Sequence, residues 1–213
     1  MDHSINKNKK KKWATVIALD VILLILLCLF VVLVDPFSHP DIKIKGVFLK
    51  HPLDISDFHL IDQHGHPFTK TQLQGHWSLL FFGFTHCPMI CPTTLDALNK
   101  TYALLKKQLP TSLLPRVVFV SIDPEQDTIA RLKQYVGSYN TAFVAARTES
   151  NNISVLEKAF SISATKQKGV IDHQTDILVL NPKAQIQAYF IYPHSPEIMA
   201  NDYQTIVKKL GSL

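Results

Sequence analysis

The stretch Phe81-Phe82-Gly83-Phe84-Thr85-His86-Cys87-Pro88-Met89-Ile90-Cys91-Pro92 constrains this chain more than any other. The run from Leu79 to Phe84 reads as a buried strand. It runs into a short loop and then a helix, expected from about Pro92 to Gln108. Pro92 suits a first helical position, because its missing N–H costs nothing there. Two cysteines stand where loop becomes helix. A free thiol has a pKa near about 8.5, and a helix N-terminus lowers it by offering partial positive charge and unpaired N–H groups. Thiolate both attacks disulfides and binds soft metals. The position therefore predicts two sulfurs that are reactive together.

The other elements follow from periodicity and punctuation. Phe58 to Asp62 and His66 to Thr69, joined through Gln63-His64-Gly65, predict a hairpin. Leu95, Leu98, Tyr102 and Leu105 recur at helical spacing after the cysteines. Arg116 to Ile122 is apolar on both faces, as a central strand should be. Asp127 reads as the N-cap of a helix that Gly137 stops near Val136. A short strand at 143–145 and a helix from Ser150 or Asn152 to Phe160 come next. Residues 161–170 read as irregular. Asp176 to Leu180 and Gln185 to Phe190 predict a second hairpin, and Ser195-Pro196-Glu197 opens a last helix. Alternating strands and helices imply a sheet covered on both faces. This order is that of an α/β, thioredoxin-like fold with an N-terminal hairpin extension, the reactive cysteines following its first core strand.

The N-terminal part carries a different signal. Lys7 and Lys9 to Lys12 precede Trp13 and an apolar run, Ala14 to Val34, broken only by Asp20. Its 21 residues suffice for a bilayer core that needs about 20. A cleavable leader would have a shorter apolar core and a small-residue cleavage site. The expected division is a basic cytoplasmic tail (1–13), a transmembrane helix (14–34), a tether (35–53) and a thioredoxin-like domain (54–213). Lysines on the near side place the N-terminus in the cytoplasm and the domain outside. Asp20 is expected to be protonated or to snorkel, and Cys28 to face the membrane. Without residues 1–34 the chain keeps 17 basic and 15 acidic residues, so a nucleic-acid role has no electrostatic support.

With Cys28 in the membrane segment, the outer domain holds only Cys87 and Cys91. A domain of this size does not need a disulfide framework to fold. Three uses of the pair remain open: dithiol redox chemistry, soft-metal binding and a plain structural disulfide. The usual redox spacing is C-x-x-C, whereas this pair is C-x-x-x-C, whose i and i+4 positions share a helix face. Two thiolates there favour copper(I) and want a third ligand, usually imidazole. Of ten histidines, His86 adjoins Cys87 but should point away from it. His173 precedes the second hairpin, where a loop would pass over the cysteine-bearing helix end, and an ordinary loop histidine is the alternative. A peroxiredoxin-type peroxidase fits poorly, because Thr85-x-Cys87 is off the Thr-x-x-Cys spacing.

Several motifs in order resemble the Sco/SenC family. They are Asp62-Gln63, Gly75-His76-Trp77, Phe82-Gly83-Phe84-Thr85-His86-Cys87-Pro88 through Cys91-Pro92, Val120-Ser121-Ile122-Asp123-Pro124 with Asp127-Thr128, and Asp172-His173 followed by Asn181-Pro182. The likeness runs from about Asp54 to the C-terminus. The resemblance implies a thioredoxin-like copper protein that helps to assemble cytochrome c oxidase. It implies one copper ion, Cu(I) or Cu(II), on Cys87, Cys91 and His173. It implies delivery of copper to the binuclear site of oxidase subunit II or another copper acceptor, or reduction of that site's cysteines. The domain would then lie in the periplasm or intermembrane space. A metal-free thiol–disulfide oxidoreductase using Cys87 and Cys91 is the alternative. One departure stands out: Met89 replaces an Asp frequent in the family, exchanging a carboxylate for a thioether. Met89 is expected either to pack in the loop or to act as a soft ligand.

Overall fold

The structure is a computed structural model that describes residues 3–33, 42–149, 153–162, 164–167, 170–173 and 175–211. Side chains are described for Trp13 and residues 16–30, 42–149, 153–162 and 175–211. The chain divides into two units, Met1–Pro40 and Asp41–Leu213. The first contains one unbroken helix, α1 (His3–Leu33). Its described side chains are exposed, among them Leu23, Leu24, Leu27 and Phe30. Cys28 is a free, exposed thiol. Among the described residues no helix is long and apolar enough to cross a membrane. The expected span 14–34 draws on residues outside those described.

The second unit is built on an eight-stranded sheet in the order β1-β10-β9-β4-β5-β6-β2-β3. Its centre is parallel: β4 (Ser78–Gly83) pairs β5 (Arg116–Ser121), which pairs β6 (Val144–Arg147). Every residue of β4 is buried, as the unbroken apolar run requires. β9 (Ile177–Leu180) joins β4 antiparallel, and β10 (Gln185–Phe190) returns beside β9 as the expected hairpin. At the far edge β2 (His59–Asp62) pairs both β3 (Pro67–Thr69) and β6, so the N-terminal hairpin extends the main sheet.

Side chains alternate across the sheet with the period-2 pleat. Leu79, Phe81, Val117 and Phe119 face one core with α3 (Ile90–Gln108), α4 (Ile129–Tyr139) and α6 (Pro196–Leu210). Leu80, Phe82, Val118 and Val120 face the other, with Phe58, Phe68, Leu73 of the single-turn α2 (Lys70–Leu73), and α5 (Ser154–Phe160). Buried Leu95, Leu98 and Leu105 are the stripe that the spacing predicts. Ser195 caps α6, its Oγ accepting from Ile198 N at 3.4 Å.

Four local expectations are corrected. Residues 47–54, expected as the end of a tether, form the edge strand β1 (Val47–Asp54) against β10. Pro52 hides this strand from a sequence reading. It is tolerated because the register shifts between Phe48 and Leu53 on the outermost strand of the sheet. The stretch read as irregular, 161–170, contributes to a separate two-stranded sheet, β7 (Ala164–Gln167) against β8 (Val170–His173). Gly137 does not stop α4, which runs on to Tyr139. Mid-helix glycine costs only about 1 kcal/mol, less than the packing of this helix returns. Finally, α3 begins at Ile90 instead of Pro92, which puts Cys91 inside the first helical turn.

Candidate metal centre

β4 delivers the chain to the site at Gly83. A Cβ there would lie 2.8 Å from Cys91 Sγ and 2.8 Å from Phe119 Cε2, so only glycine lets the sulfur settle over the strand end. The loop then folds back on itself, Cys87 N donating to Phe84 O at 3.2 Å. α3 has no side-chain cap at Met89. One of its free first-turn donors, Cys91 N–H, points instead at Cys87 Sγ, 3.4 Å away. The helix end and the two thiols are thus one local structure. Both cysteines are free and buried, Cys87 at the rim with 9% exposure and Cys91 at 0%.

Burial corrects the expectation that the helix end activates both sulfurs. It pushes the Cys91 thiol well above its ordinary value; an opposing backbone hydrogen bond at Phe84 is outweighed, and Cys87 and the Asp127 charge add to the rise. Metal-free, Cys91 is a protonated thiol at neutral pH. A soft cation suits such a place. It replaces the proton and supplies the positive charge that a bare buried thiolate would lack.

The loop is held from the side by Asp127. Its fully buried carboxylate accepts from Thr85 Oγ1 (2.6 Å), Thr85 N (3.1 Å) and Ser121 Oγ (2.6 Å). Asp127 was expected to cap α4. That task falls to Thr128, whose Oγ1 accepts from Arg131 N at 3.2 Å. Asp123 ends its strand in a turn as expected, accepting from Asp127 N at 3.0 Å, and its carboxylate also lies 3.4 Å from His86 Nε2. The His86 ring packs on Phe84 with centroids 4.6 Å apart. His86 Nδ1 also lies 4.0 Å from Asp127 Oδ1, so the ring stands beside both carboxylates of the β5–α4 turn. Met89 does not pack in the loop: at 69% exposure it faces solvent between the two cysteines.

His173 is the last residue of β8, opposite Ala164. Its side chain, and that of Asp172, lie outside the described residues. Among the described residues no three His, Cys, Asp or Glu side chains converge in a way that could hold a metal ion. The structure brings Cys87 and Cys91 together, and the third expected ligand is carried on the β7–β8 sheet. Sequence reasoning missed Thr85 and the central part of Asp127, because a buried aspartate and a capping aspartate look alike in sequence. Gly83, enclosed by Phe82 and Phe84 at a strand end, was the available signal for a close approach.

Comparison with known proteins agrees with this architecture. The family model described as SCO1/SenC matches residues 50–208. A mitochondrial SCO2 homologue of Danio rerio is 32% identical over 147 residues, 66% of this chain and 52% of the relative, so the chain spans about half of that protein. An SCO2-like protein of Rickettsia felis is 32% identical over 151 residues, covering 67% of this chain and 72% of the relative. Among solved structures, Bradyrhizobium japonicum ScoI with copper bound superposes with a TM-score of 0.61 at 28% identity, over 71% of this chain and 98% of that one.

Proposed function

We propose, from the premise that this chain belongs to the SCO1/SenC family, that it is a membrane-anchored copper metallochaperone for cytochrome c oxidase assembly. Its cargo is one copper ion on Cys87, Cys91 and His173. Its acceptor is the binuclear copper site of oxidase subunit II, to which it supplies copper or whose thiols it keeps reduced. The anchor is the apolar stretch 14–34, with the domain in the periplasm or intermembrane space. The observation that carries the reading is the pair of free, buried thiols at the first turn of α3, where Cys91 N–H donates to Cys87 Sγ, in a chain whose relative ScoI is a copper-bound structure.

The two sulfurs differ in a way that suits transfer. Cys91 is sealed against the end of β4, and Cys87 lies at the rim. Incoming copper(I) displaces protons from both thiols. The resulting charge, two thiolates and one cation, is no larger than that of one bare thiolate. An acceptor thiolate reaches Cys87 first, and ligand exchange then proceeds inward to Cys91. Oxidation to a disulfide removes both sulfur ligands at once, so copper loading and redox state are linked.

Competition with a copper(I) chelator tests the site. Cys87→Ser and His173→Ala are expected to weaken binding by orders of magnitude, and unchanged affinity in either would overturn it. The side-chain hydrogen bond between Cys91 and Cys87 also favours a second reading, thiol–disulfide exchange without copper. The two part at His173: its loss abolishes copper transfer under the first reading and leaves exchange with glutathione intact under the second.

A further inference from the structure

We infer that Asp127 is a positioning residue for the Cys87–Cys91 pair: its buried carboxylate holds the β4–α3 loop through Thr85 and so sets where Cys87 stands against Cys91. The inference rests on the copper-binding reading above and adds to it a residue that is not a ligand.

A fully buried carboxylate is costly unless its hydrogen bonds are made. Its three hydrogen-bond donors lie outside its own turn, two on Thr85 and one on Ser121 at the end of β5, and His86 Nδ1 stands 4.0 Å from the same carboxylate. The two hydroxyl bonds, at 2.6 Å, have the length of charge-assisted bonds. The side chain is not needed to start α4, which Thr128 caps. Nor is it needed to hold its own backbone. Asp127 N donates to Asp123 O at 3.0 Å, and Arg147 Nη1 donates to Asp127 O at 3.1 Å. What the carboxylate adds is a grip on Thr85. That residue stands two positions after Gly83, where Cys91 Sγ rests, and two before Cys87. The turn from Phe84 O to Cys87 N is closed by a 3.2 Å bond, so a fixed Thr85 limits where Cys87 can stand. The carboxylate is suited to this because it only accepts. An amide in its place keeps one acceptor oxygen and turns an N–H pair toward Thr85 Oγ1 or Ser121 Oγ, so that a hydroxyl must reverse to accept and the charge-assisted bonds are lost.

The test uses the full-length chain in mild detergent, with Asp127→Asn, Thr85→Val and Thr85→Ser. Thr85→Val removes one hydroxyl at nearly constant shape and decides the matter if Asp127→Asn does not fold. Thr85→Ser keeps both donors. Three quantities are read: copper(I) affinity against a chelator, the thiol–disulfide equilibrium of the metal-free Cys87–Cys91 pair with glutathione, and the thermal midpoint. The expected result for Asp127→Asn and Thr85→Val is at least a tenfold loss of copper(I) affinity and at least a threefold shift in the glutathione equilibrium, with Thr85→Ser matching the wild type. Both quantities staying within twofold of wild type while only the midpoint moves would overturn the inference. If the wild type itself binds no copper(I), the copper reading falls, and the glutathione equilibrium still decides the role of Asp127.

Discussion

Replacing Gly83 with alanine should injure the thiol pair through one methyl group. Gly83 is not among the glycines held at positive φ, so its backbone accepts alanine without strain. Stiffening the unfolded chain would alone stabilise the protein by about 0.4–1 kcal/mol. The new Cβ, however, lies 2.8 Å from both Cys91 Sγ and Phe119 Cε2, well inside contact distance. Cys91 and Phe119 are both at 0% exposure, and neither can swing into solvent. Overpacking of this kind costs about 1–3 kcal/mol; less the entropic gain, the net loss is about 0–2.6 kcal/mol, with about 1.3 kcal/mol at its centre. At about 2–4 °C per kcal/mol for a domain of this size, the midpoint should fall by several degrees. Copper(I) affinity should fall with it, because the cheapest relief is a displaced Cys91 sulfur. Gly137→Ala is the matched control. It sits inside α4, and its Cβ would meet nothing within 4 Å, so it should stabilise by about 0.5–1 kcal/mol and leave copper binding unchanged. Thermal unfolding and chelator competition on the two variants provide the comparison. A Gly83→Ala protein as stable and as tight as wild type would refute the packing argument for Cys91.

Asp202 is buried, and its Oδ2 accepts from Lys45 N and Gly46 N, both at 2.9 Å, where the chain enters β1. Asp202→Ala strands two backbone donors and should cost about 2–4 kcal/mol in denaturant unfolding; a loss below about 0.5 kcal/mol would mean that water replaces the clamp. The reduced, metal-free protein should lose stability as pH rises above about 9. Burial raises Cys91 and Tyr203 in the fold, so the unfolded chain releases their protons first and is favoured, by up to about 1.4 kcal/mol per pH unit per proton. Urea midpoints measured from pH 8 to 10.5 follow this, and stability that rises with pH would contradict the burial of the Cys91 thiol.

The core of the fold was legible because its signals are local. The unbroken apolar runs of β4 and β5 and the stripe of Leu95, Leu98 and Leu105 announce burial and period at once. β1 was not legible. Its burial follows no clean alternation around Pro52, and its strand character comes from β10, more than a hundred residues away. The β7–β8 pair was lost to its short polar strands, Ala164–Gln167 above all. At the site, the cysteine spacing identified the pair, whereas the state of Cys91 depended on the depth of its burial under Gly83, which spacing does not encode. Asp127 was visible as a helix-start residue. Its grip on Thr85 exists only because β4 and β5 run in parallel and bring Gly83 and Ser121 level.

The central claim is that two sulfurs and one imidazole share a single copper ion. X-ray absorption at the copper edge, on the copper(I)-loaded full-length chain and on its His173→Ala variant, addresses it directly. The account predicts two sulfur scatterers and one nitrogen in the wild type, with the nitrogen lost in the variant. A copper shell of sulfur alone, or a nitrogen that survives removal of the His173 ring, would contradict it.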